Sequence, residues 1–388
     1  MQLEPEAKKS GPLASVIRLE RVTRANRETW GILDGSVLPP RQLEIQPTSQ
    51  CHRVCSFCSH IRRNQRGGEL QPSIVASILR EAQQLGTEVV NFSGGGEPLI
   101  WDSGDLAEAM AQAHGFAQVS LTTSGDQLWD DQRGSLSDLC LRVIRNCHDL
   151  LLNIPGTDDE SLKRQVSGGP SWTRTRRLLE SLLTFAANTS KPRIHCVVVI
   201  TQDNVRKLAE IDQRFTDLGI ESIYYKPFKV YEDRTPSRRV ERDAILRALA
   251  KQLPSFGPSA GLSRLVANFT QDAPSPSPCW VNRLGFSLII DPLGNGYLCT
   301  PTVGDKRYAI GNVYEGGLTG LWLGAVRFNA MHELSERSLR GGCPSDCRYH
   351  SHNSLIGSAV SGNAACLPAH TCSNAGLDDN LIGVEPRL

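Results

Sequence analysis

Ten residues constrain this chain more than any others: Cys51-His52-Arg53-Val54-Cys55-Ser56-Phe57-Cys58-Ser59-His60. Three thiols stand here at C-x3-C-x2-C spacing. They follow a strand-like run, Leu43-Glu44-Ile45-Gln46-Pro47, and a polar connector, Thr48-Ser49-Gln50. A loop this tight can bring three thiolates onto one small metal centre. The count of three is informative, because a four-iron cluster held by three cysteines leaves one iron open to a ligand from outside the chain. Zinc is the competing occupant. A closed structural zinc site normally takes four ligands, and His52 or His60 can supply the fourth.

The remaining cysteines say what kind of chain surrounds that loop. Twelve occur among 388 residues, clustered at 51/55/58, 140/147, 196, 279/299, 343/347 and 366/372. A disulfide scaffold suits small secreted domains. This chain is long, and Met1 to Pro12 mixes acids with lysines where a secretory signal would be apolar. Clustered thiols in such a chain favour metal or Fe–S ligation, and the expected location is the cytoplasm. A net charge of +1 without a strong charge block gives no nucleic-acid or membrane surface. No run approaches the roughly 18 apolar residues of a membrane span. The 39% hydrophobic content is enough for a substantial core.

From residue 41 strands alternate with helices. Strand 43–47 leads to the cysteine loop; Pro72 and Ser73 start a helix that Gly86 stops. Strand 89–92 ends in Ser93-Gly94-Gly95-Gly96-Glu97-Pro98. Helix 104–114, strand 117–122, helix 135–146, strand 149–154, a helix over about 173–187, strand 194–200, helix 204–218 and strand 221–226 follow. Such alternation implies a parallel sheet, with the unusual residues just after the strands, where barrels of this type build their active sites. Six units predict an open, partial (β/α)6 TIM-like barrel whose gap something else covers. The expected divisions are a leader at 1–40, a core at 41–252, a Pro/Ser linker at 253–278, a second unit at 279–350 with a β-hairpin, and an irregular tail at 351–388.

The three-cysteine loop after one strand and Gly-Gly-Gly-Glu-Pro after the next resemble the radical S-adenosylmethionine (radical SAM) enzymes over about residues 41–230. The resemblance implies that Cys51, Cys55 and Cys58 hold a 4Fe–4S cluster whose open iron is chelated by the amino and carboxylate groups of SAM. It implies that Phe57 lies near the adenine, and that Gly95, Gly96 and Glu97 meet the SAM ammonium. Thr123, Ser124 and Asn153, at the ends of the third and fourth strands, are further SAM contacts by the same analogy. The chemistry agrees: an ammonium needs acceptors, glycines admit backbone carbonyls closely, and a following proline fixes the loop's exit.

Cys279-x14-Gly294-x4-Cys299 resembles the opening of the SPASM/twitch extension, which carries auxiliary Fe–S clusters. With Cys343 and Cys347 it implies one auxiliary 4Fe–4S cluster, with a zinc ribbon as the competing reading. Cys366 and Cys372 are candidates for a second cluster. The C-x2-C-x5-C-x3-C run of the full SPASM pattern is missing. Cys140 and Cys147 read as core residues. Cys196, on the fifth strand, is a candidate hydrogen-atom donor if it points into the barrel.

The resemblance implies one-electron cleavage of SAM to a 5′-deoxyadenosyl radical that takes a hydrogen atom from substrate. It also implies a flavodoxin- or ferredoxin-type electron donor. Two substrate classes compete. The first is a sugar or aminocyclitol in natural-product biosynthesis, oxidised or epimerised, favoured here because only fifty residues precede Cys51 and because a single auxiliary cluster resembles the twitch-type small-molecule enzymes. The second is a ribosomally made peptide acted on by a maturase. A non-catalytic Fe–S carrier or zinc module is the third reading.

Overall fold

The computed structural model describes residues 31–33, 36–58, 67–220, 222–227, 236–252, 262, 278–343, 347 and 349–360. Most of the expected leader and linker, His60, Cys366 and Cys372 lie outside the described residues. Strands β1 (Gln42–Ile45), β2 (Val89–Phe92), β3 (Gln118–Thr123), β4 (Asp149–Asn153), β5 (Arg193–Ile200) and β6 (Ser222–Pro227) form one parallel sheet in sequence order. Helices α1 (Pro72–Leu85), α2 (Leu106–Gln112), α3 (Asp138–Arg145), α4 (Asp159–Gln165), α5 (Trp172–Thr189) and α6 (Leu208–Asp217) lie between them, with α7 (Pro236–Gln252) after β6. This is the partial (β/α)6 barrel read from the alternation.

Local chemistry sets the boundaries. Pro72 opens α1 and Gly86 ends it in the left-handed region at φ 89°. Side chains of Asp105, Ser137, Asp158 and Ser171 cap α2, α3, α4 and α5 at their N-termini. Helix α4 is too short and too polar to show an apolar period, so the alternation gives no sign of it. A small hairpin pairing Trp129–Asp130 with Ser135–Leu136 was absorbed into the helix expected from 135; α3 starts only after the Ser137 cap.

The two faces of the sheet differ. Leu43, Val90 and Val119 stand in register, as do Ile45, Phe92, Leu121 and Leu150, and all belong to the main core under the helices. On the other face Glu44, Asn91, Ser120 and Asp149 stand in register and are buried. Buried polar groups need partners. Gln46 donates to Glu44 at 2.8 Å; Gln118 donates to Asp149, and His195 bonds it at 2.8 Å. A polar face that no helix covers is the inside of the barrel.

The second region joins the same sheet. After the short helix α8 (Trp280–Arg283), β7 (Ser287–Ile290) pairs parallel with β1, and β8 (Gly296–Tyr297) returns antiparallel. The expected hairpin is there, and its first strand extends the barrel beyond β1. Helices α9 (Val313–Leu323) and α10 (Ala325–Leu339) follow. Glu81 of α1 accepts from the Thr319 amide of α9 at 2.8 Å, tying the two regions together. The tail expected to be irregular begins instead with a helix, α11 (His350–Val360). Its Ile356 is fully buried beside Trp280, Val281 and Leu284, so packing overrides a Ser/His/Gly-rich composition that gives little helical signal.

Candidate active site

The three-cysteine loop leaves β1 and is tied to the barrel's upper rim. Gly96 donates its amide to Thr48 O at 2.9 Å and Glu97 donates to Gln50 O at 2.7 Å, so the glycine loop after β2 lies directly on the connector before Cys51. A Cβ at position 96 would stand 1.8 Å from Gln50 O, and one at 94 would stand 1.7 Å from Gly96 O. Positions 94 and 96 must therefore be glycine for the two loops to meet. Beyond Cys51, Val54–Cys55 pairs with Val166–Ser167, and Ser56 donates to Gln165 O at 2.9 Å. Phe57 is buried in the main core and anchors the loop from beneath.

Cys51 is exposed, while Cys55 and Cys58 are half-buried. Burial, then the neighbouring Cys58, pushes the Cys55 thiol up to about 12. Burial likewise raises Cys51, with Glu97 and Cys58 adding to it. Thiols held in the protonated form this way ionise when a metal takes them. Among the described residues no three His, Cys, Asp or Glu side chains converge on a point where one metal ion would sit.

Glu97 is 3% exposed and well supplied with donors. It accepts from Thr123 Oγ1 and the Leu99 amide through one oxygen, and from the Ser124 amide at 2.7 Å through the other. Thr123, expected as a direct ligand contact, spends its hydroxyl on Glu97 and on the Gly125 amide at 3.0 Å. It acts through Glu97. Ser124 Oγ and Asn153 Oδ1 are different: both are buried with no hydrogen-bond partner. Orphaned buried oxygens at the ends of adjacent strands are costly unless a ligand satisfies them. The residues therefore fit a polar nucleoside placed beside three thiols and a carboxylate.

Two residues of this site escaped the sequence reading. Arg53, inside the cysteine loop, donates Nε to Asp126 Oδ2 at 2.7 Å and a second nitrogen to Oδ1. His52 bonds the same carboxylate. Burial works to raise the Asp126 carboxyl, but the donors from His52 and Arg53 outweigh it and hold it below the usual range. Seventy-three residues separate Arg53 from Asp126, so no spacing rule joins them. The available signal was Asp126's place just after the Thr-Ser-Gly end of β3.

Cys196 is corrected by the structure. It stands in register with Leu152 and Ile223 on the helix-covered face and is fully buried in the main core. Burial raises its thiol far above the ordinary value. His195 and Val197 take the barrel side, with Val197 packing against Leu151 and Tyr224. Cys196 therefore has no route to a substrate in the barrel. Cys196→Ala should leave product formation unchanged and cost about 1 kcal/mol of stability for the lost packing, read as a small drop in the denaturant midpoint.

Cys279, Cys299, Cys343 and Cys347, the set implied by the resemblance, all line one small pocket of about 30 Å3. Cys279 begins α8, Cys299 follows β8, and the other two follow α10. Asn353 of α11 orients this group, accepting from the Val281 amide at 3.0 Å and donating to Cys279 Sγ at 3.7 Å. Burial and then the neighbouring Cys347 and Cys343 push Cys279 up to about 12. A larger cavity, about 400 Å3, lies next to it and is lined by Gln46, Ser49 and Gly95 from the barrel rim and by Asp291, Lys306 and Glu315 from the second region.

Residues 45–211 match the model of the Radical SAM superfamily. That superfamily uses a 4Fe–4S cluster and SAM, for which the residues above fit. The chain is 25% identical over 326 residues to the mycofactocin maturase MftC of Mycobacterium ulcerans, covering 78% of this chain and 80% of that protein. It is 23% identical over 309 residues to a PqqA peptide cyclase of Streptomyces rochei, covering 76% and 79%. With the first curated relatives it matches, the similarity spans about half of their length, 50% and 53%. The fold resembles that of Streptococcus suis SuiB bound to its precursor peptide SuiA, with TM-score 0.51 and 14% identity over 76% of this chain and 67% of that one.

Proposed function

We propose that this chain is a radical SAM enzyme that modifies a ribosomally made peptide, with a second Fe–S cluster in its C-terminal region accepting an electron from the reacting substrate. When bound, the 4Fe–4S cluster and SAM supply a 5′-deoxyadenosyl radical able to take a hydrogen atom from an unactivated C–H bond. The chain's own part is to hold and aim. Cys51, Cys55 and Cys58 hold the cluster. Gly95, Gly96 and Glu97 receive the SAM ammonium, with Thr123 and the Ser124 amide fixing Glu97. Ser124 Oγ and Asn153 Oδ1 accept from the nucleoside, and Phe57 backs the adenine side of the loop. Cys279, Cys299, Cys343 and Cys347 hold the auxiliary cluster, and a flavodoxin- or ferredoxin-type protein supplies the first electron.

The observation that carries this reading is the segment from Cys299 to Lys306. Cys299, Pro301 and Thr302 line the four-thiol pocket, and Val303, Gly304 and Lys306 line the adjacent cavity, which Gly95 of the SAM loop also lines. A substrate in that cavity would sit between the radical source and an electron acceptor. The sugar or aminocyclitol reading gives way here. It rested on the short stretch before Cys51 and on the single auxiliary cluster that the resemblance implies, whereas a maturase and a peptide cyclase match across three quarters of the chain. Co-expression with the short peptides encoded beside the gene tests the proposal by mass spectrometry. A peptide that loses hydrogens only when the chain is present supports it. Unmodified peptides, alongside turnover of a sugar or aminocyclitol, would reverse the assignment.

A further inference from the structure

We infer that Arg53 and Asp126 form a positioning clamp that sets SAM affinity by locking the cysteine loop onto the two strand ends that face the nucleoside. The inference rests on the SAM reading above and goes beyond it, since neither side chain is assigned a contact with thiol or ligand.

The clamp is read from where the guanidinium donates. Two of its nitrogens hold the Asp126 carboxylate as a fork, and the side chain is 8% exposed. The same fork reaches backward: Nη1 donates to Asn153 O at 3.5 Å and Nη2 to Ser124 O at 3.3 Å. Ser124 and Asn153 are the residues whose side-chain oxygens stand buried and unpartnered. One cation between Cys51 and Cys55 thus fixes the backbones of both oxygen-bearing residues. Asp126 returns the connection through His52, whose other ring nitrogen stands 3.3 Å from Gln127 Nε2. A planar five-donor fork suits several acceptors at once, and an ammonium cannot reproduce that geometry. Charge-assisted, buried bonds of this kind are the strong ones.

Outer-shell partners of metal and ligand sites typically contribute about 10–100-fold in affinity when removed. Asp126→Asn keeps the shape and removes the charge. In cluster-loaded protein it should retain iron at the wild-type level and raise the dissociation constant for SAM about tenfold, roughly 1.4 kcal/mol. The SAM-induced change in the EPR spectrum of the reduced cluster should need correspondingly more SAM. At saturating SAM most of the 5′-deoxyadenosine rate should return, so that KM moves and kcat does not. Arg53→Lys, which keeps the charge and loses the fork, should weaken SAM in the same direction. Unchanged SAM affinity in both variants would overturn the clamp. So would a fall in affinity that merely tracks lost iron, because the pair would then only support the cluster loop. A wild-type protein that is loaded with iron and binds no SAM would sink the underlying reading instead.

Discussion

Cys58→Ala should end 5′-deoxyadenosine release. With dithionite and SAM, reconstituted wild-type protein is expected to release it, and the variant to fall by more than the ~10–100-fold that losing an outer-shell partner brings. Cys58 donates its amide to Cys55 O at 3.1 Å, closing the turn that sets the second and third thiols side by side. Three thiols ligate three irons of a four-iron cluster and leave the fourth open for SAM. With two thiols a second iron loses its protein ligand, and the cluster should no longer be retained. The fold should survive, because Phe57 and the Val54–Cys55 pairing anchor the loop independently of the Cys58 side chain. Far-UV circular dichroism and the denaturant midpoint should therefore match the wild type, while iron content falls.

Cys279→Ala should separate the two centres. Anaerobic reconstitution of the wild type is expected to load about eight irons, and the variant about four. The remaining four belong to the barrel loop, which shares no residue with the four-thiol pocket. SAM cleavage should continue in the variant, and modified product should not accumulate, because the substrate's second electron has no acceptor. Four irons in the wild type would remove the auxiliary cluster from the account. Equal loss of 5′-deoxyadenosine and of product would place the C-terminal thiols in a structural role.

The sequence itself places much of the candidate site. The cysteine loop, the glycine–glutamate loop, Ser124 and Asn153 all follow strands, and a parallel sheet gathers its strand ends on one rim. What escaped shares a physical cause. Cys196 lies in Ile-His-Cys-Val-Val-Val-Ile, a run buried on both faces, where alternation cannot tell inside from outside. For Thr123, sequence shows a hydroxyl and not that it donates to Glu97. Arg53 and Asp126 meet across three strand–loop units. The parallel pairing of β7 with β1 is equally silent, since an apolar strand does not name the edge it will join. Helix α11 forms because Ile356 and Asn353 have somewhere to go, not because their neighbours favour a helix.

The account stands on SAM entering between the cysteine loop and the oxygens of Glu97, Ser124 and Asn153. The direct test is 5′-deoxyadenosine in an anaerobic reaction of reduced, cluster-loaded protein with SAM, measured by liquid chromatography and mass spectrometry. The account predicts time-dependent formation of 5′-deoxyadenosine with an equal amount of methionine. Protein that carries its barrel cluster fully reduced, and still releases none, would contradict it and leave a non-catalytic Fe–S carrier.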